Sequence, residues 1–204
     1  MNEVEKIFDI LGDWYKLPKY QLERRIDIFF VLYLPEILKK RYNIDIDYSN
    51  IIPEFPIRKN EGYSSTNADY VVLYEKNNNL RMLFIELKTD MKSVKDQQIN
   101  YYNQVKEKSI KTILEDVEKI KNHSKQKRKY NYLLDKLNYY RDKCIEDNDE
   151  EDIKVSYILP KYTNKLECID DMITFEDIIE VLKQKNDEFS KQFCNLLSDV
   201  MLNN

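Results

Sequence analysis

Residues 68–88 read ADYVVLYEKNNNLRMLFIELK. Two apolar runs, Tyr70–Tyr74 and Met82–Ile85, flank three asparagines, a residue type that favours turns. The spacing predicts a hairpin of two strands, Ala68–Glu75 and Arg81–Thr89, turning at Asn77–Asn79. Met82, Leu83, Phe84, Ile85 and Leu87 are apolar on both faces of the second strand, as in a buried central strand. Glu86 and Lys88 interrupt that run. Residues i and i+2 of a strand share a face, and buried charges are costly without a partner. Asp69 opens the first strand, and a turn near Asn78 makes it a cross-strand neighbour of Glu86. Two carboxylates side by side repel each other; a divalent cation between them reverses the sign. On that reading, removing Glu86 relieves repulsion. A self-satisfied Glu86–Lys88 pair is the plainer alternative. Acid-x-Lys also occurs at 90–92 and 152–154, but only at 86–88 does it close a buried strand whose neighbour begins with an acid.

Outward from the hairpin, the pattern becomes helical on both sides. Residues 3–15 carry Val4, Ile7, Phe8 and Leu11 on one stripe. Pro18 suits a first helical turn, and a second helix is expected from about Lys19 to Arg41, kinked at Pro35. Ile51–Arg58 alternates, and its two prolines point to a sheet edge. After the hairpin, Ser93 with Asp96 predicts a partial capping box on a long helix reaching about Asn122. A further helix covers about Lys125–Ile145. The acidic run 146–152 reads as a loop, and Ile153–Leu159 as a fourth strand stopped by Pro160. Thr174 or Asp171 opens a helix through Lys185, and a last helix covers about Asp187–Leu202. Three strands, a helical crossover and another strand make a mixed α/β sheet with helices on its faces.

Composition limits the chemistry. The 204 residues are 42% apolar and 34% charged, with a net charge of −4, which reads as a globular protein of one domain. One histidine, two glycines and three cysteines leave no catalytic triad, no P-loop, no GxGxxG and no zinc spacing. Carboxylates, lysines, tyrosines and amides remain, and carboxylates suit hard cations such as Mg²⁺. No run of 18 apolar residues predicts a membrane span. The acids at Glu3, Glu5 and Asp9 are unlike a secretory signal, and irregular cysteines suit a reducing cytoplasm. Residues 119–129, KIKNHSKQKRK, carry six bases and no acid. They read as a solvated helix end or as an arm for phosphates, with Lys125, Lys127, Arg128 and Lys129 as its contacts.

Asp69 followed by Glu86-Leu87-Lys88, on adjacent strands with a helix next, resembles the PD-(D/E)XK nuclease superfamily. The α-β-β-β-α-β order over about residues 19–160 is similar to that superfamily's core, with a helical elaboration at about 122–152 and C-terminal helices at 171–204. Gln-x-x-x-Tyr occurs twice, at 97/101 and 98/102, and resembles an element of the exonuclease branch. Residues i and i+4 share a helix face, so Gln98 and Tyr102 could orient a phosphate or a water. Ala68 stands where the family often has proline.

The resemblance implies a restriction-endonuclease-like fold and hydrolysis of phosphodiester bonds in nucleic acid, DNA ahead of RNA, in a bacterial cytoplasm. Asp69, Glu86 and the Leu87 carbonyl would hold Mg²⁺ or Mn²⁺, with Lys88, Gln98 and Tyr102 completing the catalytic set. Glu23, Glu36 and Glu54 are further acidic candidates. A homodimer is left open. So is a non-catalytic nucleic-acid-binding or protein-interaction member of the same fold.

Overall fold

Lys76 pairs with Asn79, so the hairpin loop is two residues long, Asn77 and Asn78. Both take positive φ, 54° and 65°, the pattern of a type I′ turn, whose twist matches that of the flanking strands. Asparagine tolerates this left-handed region better than most residues. The computed structural model describes residues 2–59, 62, 64–144, 153–164 and 169–204. Its elements are α1 (Glu3–Trp14), α2 (Glu23–Tyr42), β1 (Ile51–Arg58), β2 (Ser65–Lys76), β3 (Asn79–Leu87), α3 (Asp96–Lys106), α4 (Ile110–His123), α5 (Lys127–Lys143), β4 (Ile153–Leu159), β5 (Asp171–Thr174), α6 (Phe175–Leu182) and α7 (Glu188–Leu202). The chain is α/β, with one mixed sheet in the order β1-β2-β3-β4-β5. β3 is central and β1, with Pro53 and Pro56, is an edge, where a missing N–H is tolerated.

The chain gathers into two compact units, each discontinuous in sequence. One comprises 49–86 and 96–156, the other 1–48, 87–95 and 157–204. In the first, β2 is antiparallel to both β1 and β3, and α4 packs on β1 and on α5. Phe55, Phe84 and Tyr102 are almost fully buried, with ring centroids 6.2 Å apart for Phe55–Phe84 and 5.9 Å for Phe84–Tyr102. Burying a side chain such as Phe84 contributes about 1.5–3 kcal/mol. In the second unit, α1 packs on α7 and α6 packs on both α2 and α7. Phe8, Phe29, Phe30, Phe189 and Phe193 form one aromatic cluster. The Tyr33 and Ser190 hydroxyls hydrogen-bond at 2.8 Å beside it.

Five local expectations are corrected. The helix expected from Lys19 begins at Glu23, after Lys19 itself takes a φ of 65°. The long helix from Ser93 is two helices. Ser109 accepts the N–H of Thr112 and starts α4 afresh, because a serine side chain serves a cap better than a helix interior. Ser93 is no cap: its hydroxyl donates to the Asp90 carbonyl at 2.6 Å, within a 3₁₀ turn, Met91–Ser93, that Asp90 caps. β3 ends at Leu87, short of Lys88. β5 was not expected, since four residues are too few to show alternation. Of the two openings expected for the helix after it, Thr174 caps it, with a Thr174–Asp177 capping box, whereas Asp171 begins β5. The acidic run 146–152 and the end of the helix expected to reach Ile145 lie outside the described residues. No helix among the described residues is long and apolar enough to cross a membrane.

Candidate functional site

Glu86 is 2% exposed, in the most buried part of β3. The hairpin register runs from Lys76↔Asn79 to Tyr70↔Ile85, and Asp69 and Glu86 are the next residues along the two strands. Asp69 is half-buried. The two-residue turn fixes this register: a slip of one residue would send Glu86 to the opposite face.

α3 brings an amide and a phenol to the same carboxylate. Tyr102 Oη donates to Glu86 Oε2 at 2.6 Å, and Gln98 Nε2 donates to Oε1 through a short contact. One helical turn separates the two donors, so a single helix face addresses both oxygens. The other Gln-x-x-x-Tyr pair points elsewhere: Gln97 is exposed, and Tyr101 Oη donates to the Arg58 carbonyl at 3.1 Å. Packing of Tyr102 against Phe84 holds the phenol in place.

Beyond β3, in the other unit, Lys88 is 7% exposed. Its Nζ donates to the Leu87 carbonyl at 3.1 Å, and its N–H donates to the Ile158 carbonyl at 2.9 Å. That ammonium meets the carbonyl expected to serve a cation.

The further acids are placed differently. Glu54 is exposed with a φ of 50°. It sits between the pairs Pro53↔Tyr70 and Phe55↔Ala68, level with Asp69, but its Oε2 accepts from Asn67 Nδ2 at 2.9 Å. Glu36 pairs with Lys185 at 2.6 Å. Glu23 opens α2 and lines a cavity of about 690 Å³ with Arg24, Lys92 and Asn204, all within one unit. Among the described residues, no three His, Cys, Asp or Glu side chains gather in a way that could hold a metal.

Lys125 lies in the α4–α5 loop, and Lys127, Arg128 and Lys129 form the first turn of α5. All four are exposed. Gln126 makes no side-chain cap and no acid occupies that turn, so these cations oppose the helix dipole.

One charged cluster was missed from the sequence. Asp116, 5% exposed on α4, accepts from Arg58, Lys108 and Lys119 at 3.2, 2.9 and 3.1 Å. Burial alone would push its carboxyl pKa up; the hydrogen bonds from Lys108 and Lys119 outweigh that and hold it below its ordinary value. Burial, with Asp116 nearby, pushes the Tyr101 phenol upward. The signal was present: Asp116 falls on the apolar stripe Ile113, Val117 and Ile120, where an acid requires partners.

Comparison of the chain with protein-family models, with curated proteins and with solved structures returns no match.

Proposed function

We propose that the chain is a divalent-metal-dependent nuclease of restriction-endonuclease-like fold, hydrolysing phosphodiester bonds, with DNA ahead of RNA as substrate. The observation that carries this reading is the buried Glu86 carboxylate, held at both oxygens by Gln98 and Tyr102, with Asp69 following the last hairpin pair on the adjoining strand. A buried acid opposite another acid is unfavourable in an apolar core. A cation gives that arrangement a use.

Asp69, Glu86 and the Leu87 carbonyl would hold Mg²⁺ or Mn²⁺. Such an ion polarises a phosphoryl oxygen and lowers the pKa of a water. Gln98 and Tyr102 fix the Glu86 carboxylate, so its lone pairs are presented in one orientation with little reorganisation. The chain continues from Glu86 directly through Leu87 into Lys88, whose ammonium would orient the attacking water or offset charge growing on the phosphoryl oxygens. The exposed bases at 125–129 would follow the phosphate backbone and make binding salt-dependent.

The test is cleavage of labelled DNA and RNA strands and duplexes with Mg²⁺, with Mn²⁺ and in chelator. Cleavage that requires the metal and is lost in Asp69→Asn and Lys88→Gln is expected. A folded parent that cleaves nothing in the panel, or cleaves equally well in chelator, would refute the reading.

A further inference from the structure

Two large aromatic rings stand in solvent on α5. Tyr132 is 66% exposed and Tyr139 57%, and a ring in water forgoes the gain that burial brings. Lys129, Tyr132, Lys136, Tyr139 and Lys143 recur at intervals of three, four, three and four residues, so they lie on one face of the helix. Leu134 and Leu137 bury the opposite side. The acids of the helix, Asp135 and Asp142, fall beside the stripe and not on it. Each ring has a cation one turn further along: Lys136 Nζ is 5.4 Å from the centroid of Tyr132, and Lys143 Nζ is 4.7 Å from that of Tyr139. Tyr139 is also anchored. Its hydroxyl donates to Glu75 Oε1 at 3.0 Å, and Lys143 Nζ donates to the same oxygen at 2.5 Å, so Lys143 is occupied by that acid. Lys129 and Lys136 are exposed, and neither forms an ion pair among the described residues.

We propose that Tyr132 and Tyr139, with Lys129 and Lys136, form a stacking platform for single-stranded nucleic acid: the rings take base faces and the ammonium groups take phosphates. Aromatic rings interleaved with cations suit a single strand, whose bases present their π-faces and whose backbone is anionic throughout. A duplex keeps those faces inside its own stack and offers a helix only phosphates and base edges. The two rings are seven residues apart, about 10.5 Å along α5. At about 3.4 Å per nucleotide of one strand, they meet bases on the order of three nucleotides apart. The stripe begins in the basic run, at Lys129, and carries it along the helix. The choice of nucleic acid as the ligand rests on the nuclease reading above, and the platform makes that reading specific: the substrate is a single strand or a single-stranded end.

The test uses the full chain in chelator with three fluorescein-labelled probes: a thymidine strand of about 12 nucleotides, an abasic strand of the same length, and a duplex containing the thymidine strand. Tyr132→Ala with Tyr139→Ala is expected to weaken binding of the thymidine strand about 5- to 150-fold per lost stacked base. The abasic strand and the duplex should bind as they do to the parent. The slope of log affinity against log salt should not move, because no charge is lost, whereas Lys136→Gln should lower it by about 0.7. Tyr132→Phe keeps the ring and should keep the affinity. If the double alanine variant does not fold, Tyr132→Ala alone carries the test, since that ring is exposed. A parent that binds the thymidine strand no better than the abasic one, a folded alanine variant with parental affinity, or an equal loss on all three probes overturns the platform. The two readings fail separately. Tyrosine-dependent binding in a protein that never cleaves nucleic acid with Mn²⁺ keeps the platform and removes the nuclease. Metal-dependent cleavage with parental single-strand affinity in the double alanine variant does the reverse.

Discussion

Replacing Tyr102 with phenylalanine removes one hydroxyl and nothing else. The ring remains 1% exposed against Phe84, and the Glu86 carboxylate loses the donor at 2.6 Å on Oε2. Hydrogen bonds to charged groups contribute about 1.5–3 kcal/mol. A chain of 204 residues loses about 2–4 °C in Tm per kcal/mol, so the expected drop is about 3–12 °C in chelator. Tyr101→Phe is the matched control, because its hydroxyl bonds a neutral carbonyl, worth about 0.5–1.5 kcal/mol. A double-mutant cycle with Glu86→Ala isolates the contact. In that background the Tyr102 hydroxyl has lost this acceptor, so Tyr102→Phe should be neutral or stabilising, with a coupling of about 1.5–3 kcal/mol. A coupling near zero would show that the phenol packs beside Glu86 without holding it. The account of a preoriented carboxylate would then fall, whatever the activity.

Other parts of the molecule give equally direct expectations. Asn77→Val puts a branched side chain at a φ of 54° and should cost about 1–2 kcal/mol, whereas Asn78→Gly should be neutral or stabilising; the denaturation midpoint at constant m reads both, and an unaffected Asn77→Val protein would exclude the type I′ turn. Asp116→Asn should cost about 2 kcal/mol at pH 7 through its charged hydrogen bonds. The Asp116 carboxyl sits below its ordinary value, so the folded state binds that proton more weakly than the unfolded chain. Its stabilisation is complete above the unfolded value of about 3.9 and is lost as pH falls through the lower folded value. The gap between Asp116→Asn and parent should therefore close in strong acid; a gap constant to pH 2 would contradict the shift. Changing Lys125, Lys127, Arg128 and Lys129 to glutamine should lower the salt slope for DNA by about 0.9 per lost contact. It should also raise stability at low salt, because three cations leave the start of α5, each opposing the dipole by about 0.3–1 kcal/mol. An unchanged slope would make the run a solvated surface.

The sequence by itself determined the hairpin, since asparagines between two apolar runs leave few alternatives and the turn fixes the register. It determined the edge position of β1 through Pro53 and Pro56, and the buried character of β3 through unbroken apolar residues. That Asp69 and Glu86 come next after the last hairpin pair, on adjoining strands, follows from those local facts. It also offered two Gln-x-x-x-Tyr pairs one residue apart, and nothing local separated them. Only the docking of α3 on the sheet decided that 98/102 reach Glu86 while Tyr101 turns to Arg58, because the rotation of a helix about its axis is set by what it packs against. The same docking changes the expected effect of removing Glu86: repulsion from Asp69 is relieved, but two donors lose an acceptor. The break at Ser109 and the strand β5 rest on caps and short pairings that periodicity does not register. Asp116 shows the limit most clearly. Its place on an apolar stripe was visible in the chain, but its partners come from positions 58, 108 and 119, and only tertiary packing brings residues so far apart onto one carboxylate.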